Sequence, residues 1–328
     1  MPWSYQRTYE PRRDIPDLKG KVALVTGGNA GIGFYTVAEL VKHGAKVYMG
    51  ARNESRATGA IAQLKAEGFL DGIIGQVIWH RLDLSTPKST RAGAEAFLKR
   101  ETRLDILVNN AGLGGSPENF ELVDAKVPIS AIMSTNHLGP FVLTNILLPL
   151  ITKTAAEPDS DVRIVTVSSS SHKYFPTKVN WKSFEEWNMK AGSFPKNMSQ
   201  YGTTKLANIL FAKELQRRLD HNDVNAVSIT LHPGEMDTEL TNKVLRPWAL
   251  TRVLHVILRH IGWFITSHEG SFTQLFAATS SMVAADREKY KGAYLTPFAI
   301  LTDASTEASD LVAARDLWET SERIVQAM

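Results

Sequence analysis

Val22-Ala23-Leu24-Val25-Thr26-Gly27-Gly28-Asn29-Ala30-Gly31-Ile32-Gly33-Phe34 is the stretch that decides the fold. Four apolar residues in a row, without polar alternation, read as a strand buried on both faces. The glycines end that strand and lead into residues 34–43, whose apolar residues recur at helical spacing. Glycine allows a tight turn and leaves the first helical N–H groups open to an anion such as a pyrophosphate. The spacing is G-x-x-x-G-x-G rather than G-x-G-x-x-G, so the strand–turn–helix context carries the assignment.

The same alternation recurs outward from this stretch. Val47-Tyr48-Met49, Val77-Ile78-Trp79, Ile106-Leu107-Val108, Ile164-Val165-Thr166-Val167 and Val227-Ser228-Ile229-Thr230-Leu231 read as further buried strands. Helical spacing fills residues 53–67, 88–100, 128–154 and 201–219. Such repetition, with right-handed crossovers, predicts an α/β fold: a doubly wound, Rossmann-like parallel sheet with helices on both faces. No Pro/Ser-rich linker and no internal repeat divides the 328 residues. Residues 19–328 are therefore expected to form a single dinucleotide-binding and catalytic domain behind a polar arm over 1–18.

Composition excludes several function classes. A hydrophobic fraction of 43% permits a large core, and a formal net charge of +3 gives no reason to expect nucleic acid as a partner. The absence of cysteine rules out disulfides, thiolate metal sites and cysteine nucleophiles, and no metal is expected. Residues 1–7 lack the apolar region of a secretory leader, and no uninterrupted apolar run reaches the length of a membrane span. The expected location is cytoplasmic, with peripheral membrane association as the alternative.

The second strand ends in Gly50-Ala51-Arg52-Asn53. A carboxylate at this point would bond the 2′-hydroxyl of NAD, whereas Arg52 suits the 2′-phosphate of NADP(H). We therefore expect NADP(H), with NAD as the alternative. Asp83, in Leu82-Asp83-Leu84, either accepts from the adenine amino group or caps the next helix.

Further motifs stand at successive strand ends: Asn109-Asn110-Ala111-Gly112, Ser168-Ser169-Ser170-Ser171 and His232-Pro233-Gly234, with Tyr201-Gly202-Thr203-Thr204-Lys205 opening a helix. Together with the glycine segment, and in this order over residues 18–300, they make the chain resemble the short-chain dehydrogenase/reductase family. The insert before Tyr201, with Trp181, Phe184, Trp187, Met189 and Phe194, is similar to that of its retinol dehydrogenase and carbonyl reductase members. The resemblance implies an NADP-dependent oxidoreductase, a ketone or aldehyde reductase that interconverts the carbonyl and alcohol of a small molecule. It implies a catalytic set of Asn136, Ser169, Tyr201 and Lys205, with Ser168 and Ser170 as one-residue misregisters of Ser169. Cofactor contacts are implied for Gly27, Asn29, Gly31, Ile32, Gly33, Arg52, Asp83, Leu84, Asn109, Ala111, Gly112, Tyr201, Lys205, Pro233, Gly234 and Thr238.

Physical chemistry supports the Tyr–Lys pair. Four residues apart on a helix, they share a face, and a phenol titrating near 10 needs a nearby cation to exchange protons at neutral pH. Lys205 is thus expected to lower the pKa of Tyr201. His172 and His232 read as loop histidines. Pro140 lies four residues after Asn136, so it is expected to kink the helix over 128–154 and leave the Asn136 carbonyl to a water.

Residues 245–265 mix Leu250, Val253, Leu254, Ile257, Leu258, Ile261 and Phe264 with Arg246, Arg252, Arg259 and His260. They read either as a substrate lid near 240–265 or as an amphipathic membrane-surface helix. Both readings give the pocket an apolar wall and a bulky apolar substrate. In the family the Tyr201 helix often builds an oligomer interface, which the insert is placed to cover, so monomer and homo-oligomer both stand. A catalytically silent dinucleotide-sensing scaffold is the alternative of a different class. It would need the glycine loop but not Asn136, Ser169, Tyr201 and Lys205.

Overall fold

Val22–Thr26 forms β1, buried along its whole length. Its side chains alternate between two cores: Val22 and Leu24 join one, Ala23 and Val25 the other. β2 (Lys46–Ala51), β3 (Gln76–Arg81), β4 (Ile106–Asn109), β5 (Val162–Val167), β6 (Ala226–Leu231), β7 (Tyr294–Thr296) and β8 (Ile300–Leu301) complete one sheet in the order β3-β2-β1-β4-β5-β6-β7-β8. Every pairing is parallel except β7 with β8. The computed structural model describes residues 9–123, 128–174, 179–183, 185–187, 189–235 and 264–327.

Helices cover both faces. α2 (Gly31–Lys42), α3 (Glu54–Ala66) and α9 (Ser267–Thr279) close the core that holds Val37, Leu64 and Phe276. On the other face lie α4 (Pro87–Leu98), α6 (Gly139–Ala155), α8 (Phe194–His221) and a C-terminal helix, α12 (Leu311–Ala327), around Phe97, Phe141, Phe211 and Trp318. The six strands read from apolar runs are all present, and the doubly wound Rossmann-like architecture is as expected. The strand order reverses between β1 and β4, so the loops after those strands part and open a crevice at the C-terminal edge of the sheet.

Three details differ from the sequence reading. The helix expected over 128–154 runs from Ala131 to Ala155, with residues Ser134–Leu138 in a π-turn. The irregularity thus comes before Pro140, not at it. Gly139 N–H reaches back to the Ser134 carbonyl, and the wider turn makes room for the proline ring. Although long and apolar enough to span a membrane, this helix is packed in the core. The Tyr201 helix starts seven residues earlier than expected, at Phe194. From residue 9 onward the N-terminal arm is packed: Tyr9 is buried, its hydroxyl lies 3.1 Å from Thr279 Oγ1, and Phe276 meets its ring edge-on.

Candidate active site

The glycine loop follows β1. Gly27 and Gly31 hold φ of 64° and 54°, a region that favours glycine. At Gly33 a Cβ would collide with the Gly27 carbonyl and come within 2.6 Å of Asn110 Nδ2, so the helix packs against the loop only without a side chain. Asn53 and Thr86 cap α3 and α4 through their side chains, but α2 begins at Ala30 with no side-chain cap and no acid in its first turn. The N–H groups at the start of α2, among Gly31, Ile32 and Gly33, are therefore left for an anion.

In front of them runs a groove of about 600 Å³. Gly27, Asn29, Arg52, Asp83, Leu84, Ala111 and Gly112 all line it, so the structure brings seven of the sixteen residues implied for the cofactor into one groove. Uncapped helix, glycine cradle and elongated groove fit a dinucleotide. At the β2 end, Arg56 joins Arg52 in the lining, and neither guanidinium has an ionic partner among the described residues. Residues 50–53 carry no carboxylate. Asp83 accepts from Ser85 N–H (3.0 Å), while a capping box of Thr86 and Ser89 holds α4. Asp83 is thus not the helix cap and keeps its carboxylate at the groove wall.

Asn109 is displaced from its expected role. It is buried, its Nδ2 donates to Thr144 Oγ1 (3.2 Å), and it does not line the groove. Asn110 takes the structural part that the sequence reading missed. Its Nδ2 donates to the Thr26 carbonyl (2.9 Å), and the N–H groups of Asn110 and Ala111 donate to Thr26 Oγ1 (both 2.9 Å). These bonds staple the β4 loop to the glycine loop across the switch point.

At its far end the groove reaches Gly112, where a Cβ would lie 3.3 Å from both Asn136 Oδ1 and Lys205 Nζ. Asn136 is wholly buried, and its side chain is fully engaged. Oδ1 accepts from Leu113 N–H (2.6 Å), and Nδ2 donates to the Leu113 carbonyl and Thr204 Oγ1 (both 2.9 Å). The π-turn thus aims this amide at the loop following Gly112. Lys205 donates to the Val167 carbonyl (3.1 Å), and its ammonium lies 5.7 Å from the centroid of the Tyr201 ring.

The serine turn resolves by hydrogen bonding. Ser168 Oγ donates to the Lys205 carbonyl (2.7 Å) and Ser170 Oγ to Glu235 Oε1 (2.7 Å). Ser169 Oγ donates to Ser171 Oγ (3.1 Å) and accepts from Ser171 N–H (3.2 Å), and it is the serine whose hydroxyl acts to lower the Tyr201 phenol. Electrostatics depart from the expectation. Burial pushes Tyr201 up to about 12, against the lowering effect of Ser169, and pushes Lys205 down to about 8. Burial outweighs the cation because the ammonium faces the ring and a carbonyl rather than the phenol oxygen. Tyr201 is accordingly a held proton donor.

His172 and His232 serve the loops. His172 Nδ1 bonds the Ser169 carbonyl (2.6 Å) and its Nε2 accepts from Ser305 N–H (3.4 Å), which fixes the turn. His232 Nε2 lies 3.4 Å from Glu235 Oε1. Gly234 has a φ of 109° and lines a separate cavity beside Ser170, and Pro233 is buried before it. Glu235, which closes the loop onto Ser170, directly follows the His232-Pro233-Gly234 motif and was given no role by the sequence. Nothing local marks it, because its partner lies 65 residues away. Thr238 and residues 240–263 of the expected lid lie outside the described residues.

A family model described as short chain dehydrogenase matches residues 21–180. A short-chain dehydrogenase/reductase of Armillaria gallica is 39% identical over 311 residues, covering 94% of each chain. The chain belongs to the short-chain dehydrogenase/reductase family. Retinol dehydrogenase 14 of Mus musculus is 37% identical over 321 residues, covering 94% of this chain and 86% of its own. Among solved structures, an uncharacterised protein from Mycobacterium paratuberculosis is 27% identical with a TM-score of 0.70, over 97% of this chain and 98% of that one. A 3-ketoacyl-(acyl-carrier-protein) reductase from Brucella melitensis, complexed with NADH, has a TM-score of 0.61 at 24% identity, over 85% and 97%. A Pseudomonas aeruginosa RhlG/NADP complex has 0.63 at 21%, over 86% and 96%. This short-chain dehydrogenase/reductase is therefore an oxidoreductase that performs dinucleotide-dependent hydride transfer on a small molecule.

Proposed function

We propose that the chain uses NADP(H) to interconvert the carbonyl and alcohol of a small molecule with a bulky apolar body. The observation that carries the reading is the Lys205 ammonium 5.7 Å from the Tyr201 ring, one turn along the helix, with the groove ending beside it at Gly112. A nicotinamide dinucleotide held by the glycine loop, Arg52, Asp83 and Gly112 supplies or accepts the hydride when bound. Ser169 orients the substrate oxygen, and Tyr201 gives that oxygen its proton in the reduction direction. Arg52 and Arg56, with no acid at the β2 end, support NADP(H) over NAD.

Ile265 N–H donates to the Glu235 carbonyl (3.0 Å), which ties both ends of the intervening segment to the Ser170 turn. That closure supports the lid reading of residues 240–265. α12 lies on the outer side of α8, with Trp318 stacked on Phe211 (5.7 Å) and Arg218 4.4 Å above the Trp318 ring. The covering of that face supports a monomer, and a cytoplasmic setting belongs to the same proposal. A screen of aldehydes, ketones and alcohols with NADPH, NADH and their oxidised forms, read by nicotinamide absorbance, tests cofactor and direction together. Turnover preferring NADPH is expected, and a preference for NADH overturns the cofactor assignment.

A further inference from the structure

Beside the serine turn lies a cavity of about 190 Å³ that the proton-donor chemistry leaves unused. Glu235, Tyr294, Ser170 and Asp303 are part of its lining. Both hydrogen-bonding neighbours of the Glu235 carboxylate converge on Oε1: Ser170 Oγ at 2.7 Å and His232 Nε2 at 3.4 Å. Oε2 has no partner among the described residues, on a side chain that is 49% exposed. Burial acts to raise this carboxyl, but His232 and Ser170 outweigh it and hold it below the usual carboxylate range, so it is an anion at neutral pH.

Tyr294 is 6% exposed, and its ring meets His172 edge-on at 5.2 Å. Its hydroxyl has no hydrogen-bond partner among the described residues, although the residue lines the same cavity. Burial and the Glu235 charge both push this phenol up, so it keeps its proton and acts as a donor. One cavity thus presents an acceptor-only group and a donor, both unsatisfied. A methyl group there would leave both unpaired, and a carboxylate would meet the charge of Glu235, with Asp303 and Lys173 of opposite charge elsewhere in the lining. A hydroxyl satisfies both, because it donates to the carboxylate and accepts from the phenol.

We propose that Glu235 and Tyr294 form a hydroxyl-binding subsite, so that the preferred substrate carries a hydroxyl in addition to its reacting carbonyl or alcohol. Ser170 directly follows Ser169, and the Glu235 charge acts on the Tyr201 phenol, which puts this subsite beside the reacting centre. Ile265 and Pro297, also in the lining, leave room for an apolar body beside it. The inference rests on Ser169 and Tyr201 holding the carbonyl, and its test separates the two.

The probes are 2-hydroxy-1-phenylethanone and the size-matched 1-phenylpropan-1-one, which exchange a hydroxyl for a methyl. Binding to the full chain is measured by calorimetry with NADP⁺ and, separately, NAD⁺ present, while turnover is recorded independently. The hydroxy ketone should bind about tenfold tighter, the scale of a hydrogen bond to a charged group. Glu235→Leu should bring the ratio to within about twofold of one, and Tyr294→Phe, nearly isosteric, should lower it severalfold. Glu235→Gln keeps an acceptor oxygen and should retain part of it. Using a ratio on each variant cancels any general loss of binding. Equal binding of the two ketones by the wild type, or a ratio kept in both Glu235→Leu and Tyr294→Phe, overturns the subsite. Turnover that survives Tyr201→Phe overturns the assignment of Tyr201 as proton donor and leaves the binding ratio as a separate result.

Discussion

Lys205 shows how far burial governs this site at the scale of single residues. Its ammonium is pushed down to about 8 in the folded chain, against an ordinary value of 10.5. Between those values the unfolded chain binds more protons, so the lysine opposes folding at neutral pH and the cost fades as pH rises through the window. Lys205→Met should therefore stabilise the cofactor-free protein near pH 7 by roughly 1–3 kcal/mol, with the gain shrinking toward pH 10. Denaturant unfolding at both values checks this, and equal effects at both would contradict it. Arg52 makes the second residue-scale prediction. Arg52→Ala should weaken NADPH about tenfold or more while changing NADH little, because only the former offers a phosphate to the guanidinium. Titrations showing equal losses would remove the assignment. Tyr201 and Lys205 were legible through the resemblance carried by the ordered motifs, and helical spacing added only that the two share a face. The division of labour between Asn109 and Asn110 was not, because strand register decides which amide faces the glycine loop.

At the scale of the element, the helix carrying Asn136 matters most. Pro140 has no N–H for the carbonyl four residues back, and the chain answers with a π-turn over Ser134–Leu138 rather than a kink at the proline. Periodicity reports that a helix exists and a proline reports that something must yield. Neither says where, because the widening depends on Leu84, whose backbone Gly139 approaches so closely that a Cβ there would lie 2.8 Å from its carbonyl. Asn136→Ala removes three bonds that fix Leu113 and Thr204 and should lower kcat by about tenfold or more. Pro140→Ala should lower kcat less than about threefold with cofactor affinity intact, since only the carbonyl environment changes. Steady-state kinetics of the pair decides it, and a larger loss for Pro140→Ala would invert the account. A water at the Asn136 carbonyl in a high-resolution crystal structure is the matching expectation.

For the molecule as a whole, the sheet was readable because six of its strands, four to six residues long, are built on largely apolar runs. β7 and β8 were not, since three and two residues hold no period, and β8 pairs antiparallel at the edge. α12 escaped notice for another reason: its amphipathic pattern announces a helix but not the surface it covers. Trp318 on Phe211, and the His137–Ser321 hydrogen bond (2.8 Å), place it over α8 and the π-turn. Light scattering on the purified chain should give a monomer, and a dimer or tetramer would show that another surface associates. In the proposed reaction Tyr201 donates the proton to a carbonyl whose hydride comes from a bound nicotinamide. This role is tested most directly by Tyr201→Phe, measured twice: for NADPH affinity by titration, and for reduction of the best carbonyl by absorbance. NADPH affinity should stay within about twofold of the wild type and kcat should fall by at least about a hundredfold. Substantial turnover by Tyr201→Phe, with affinity intact, would contradict Tyr201 as the donor.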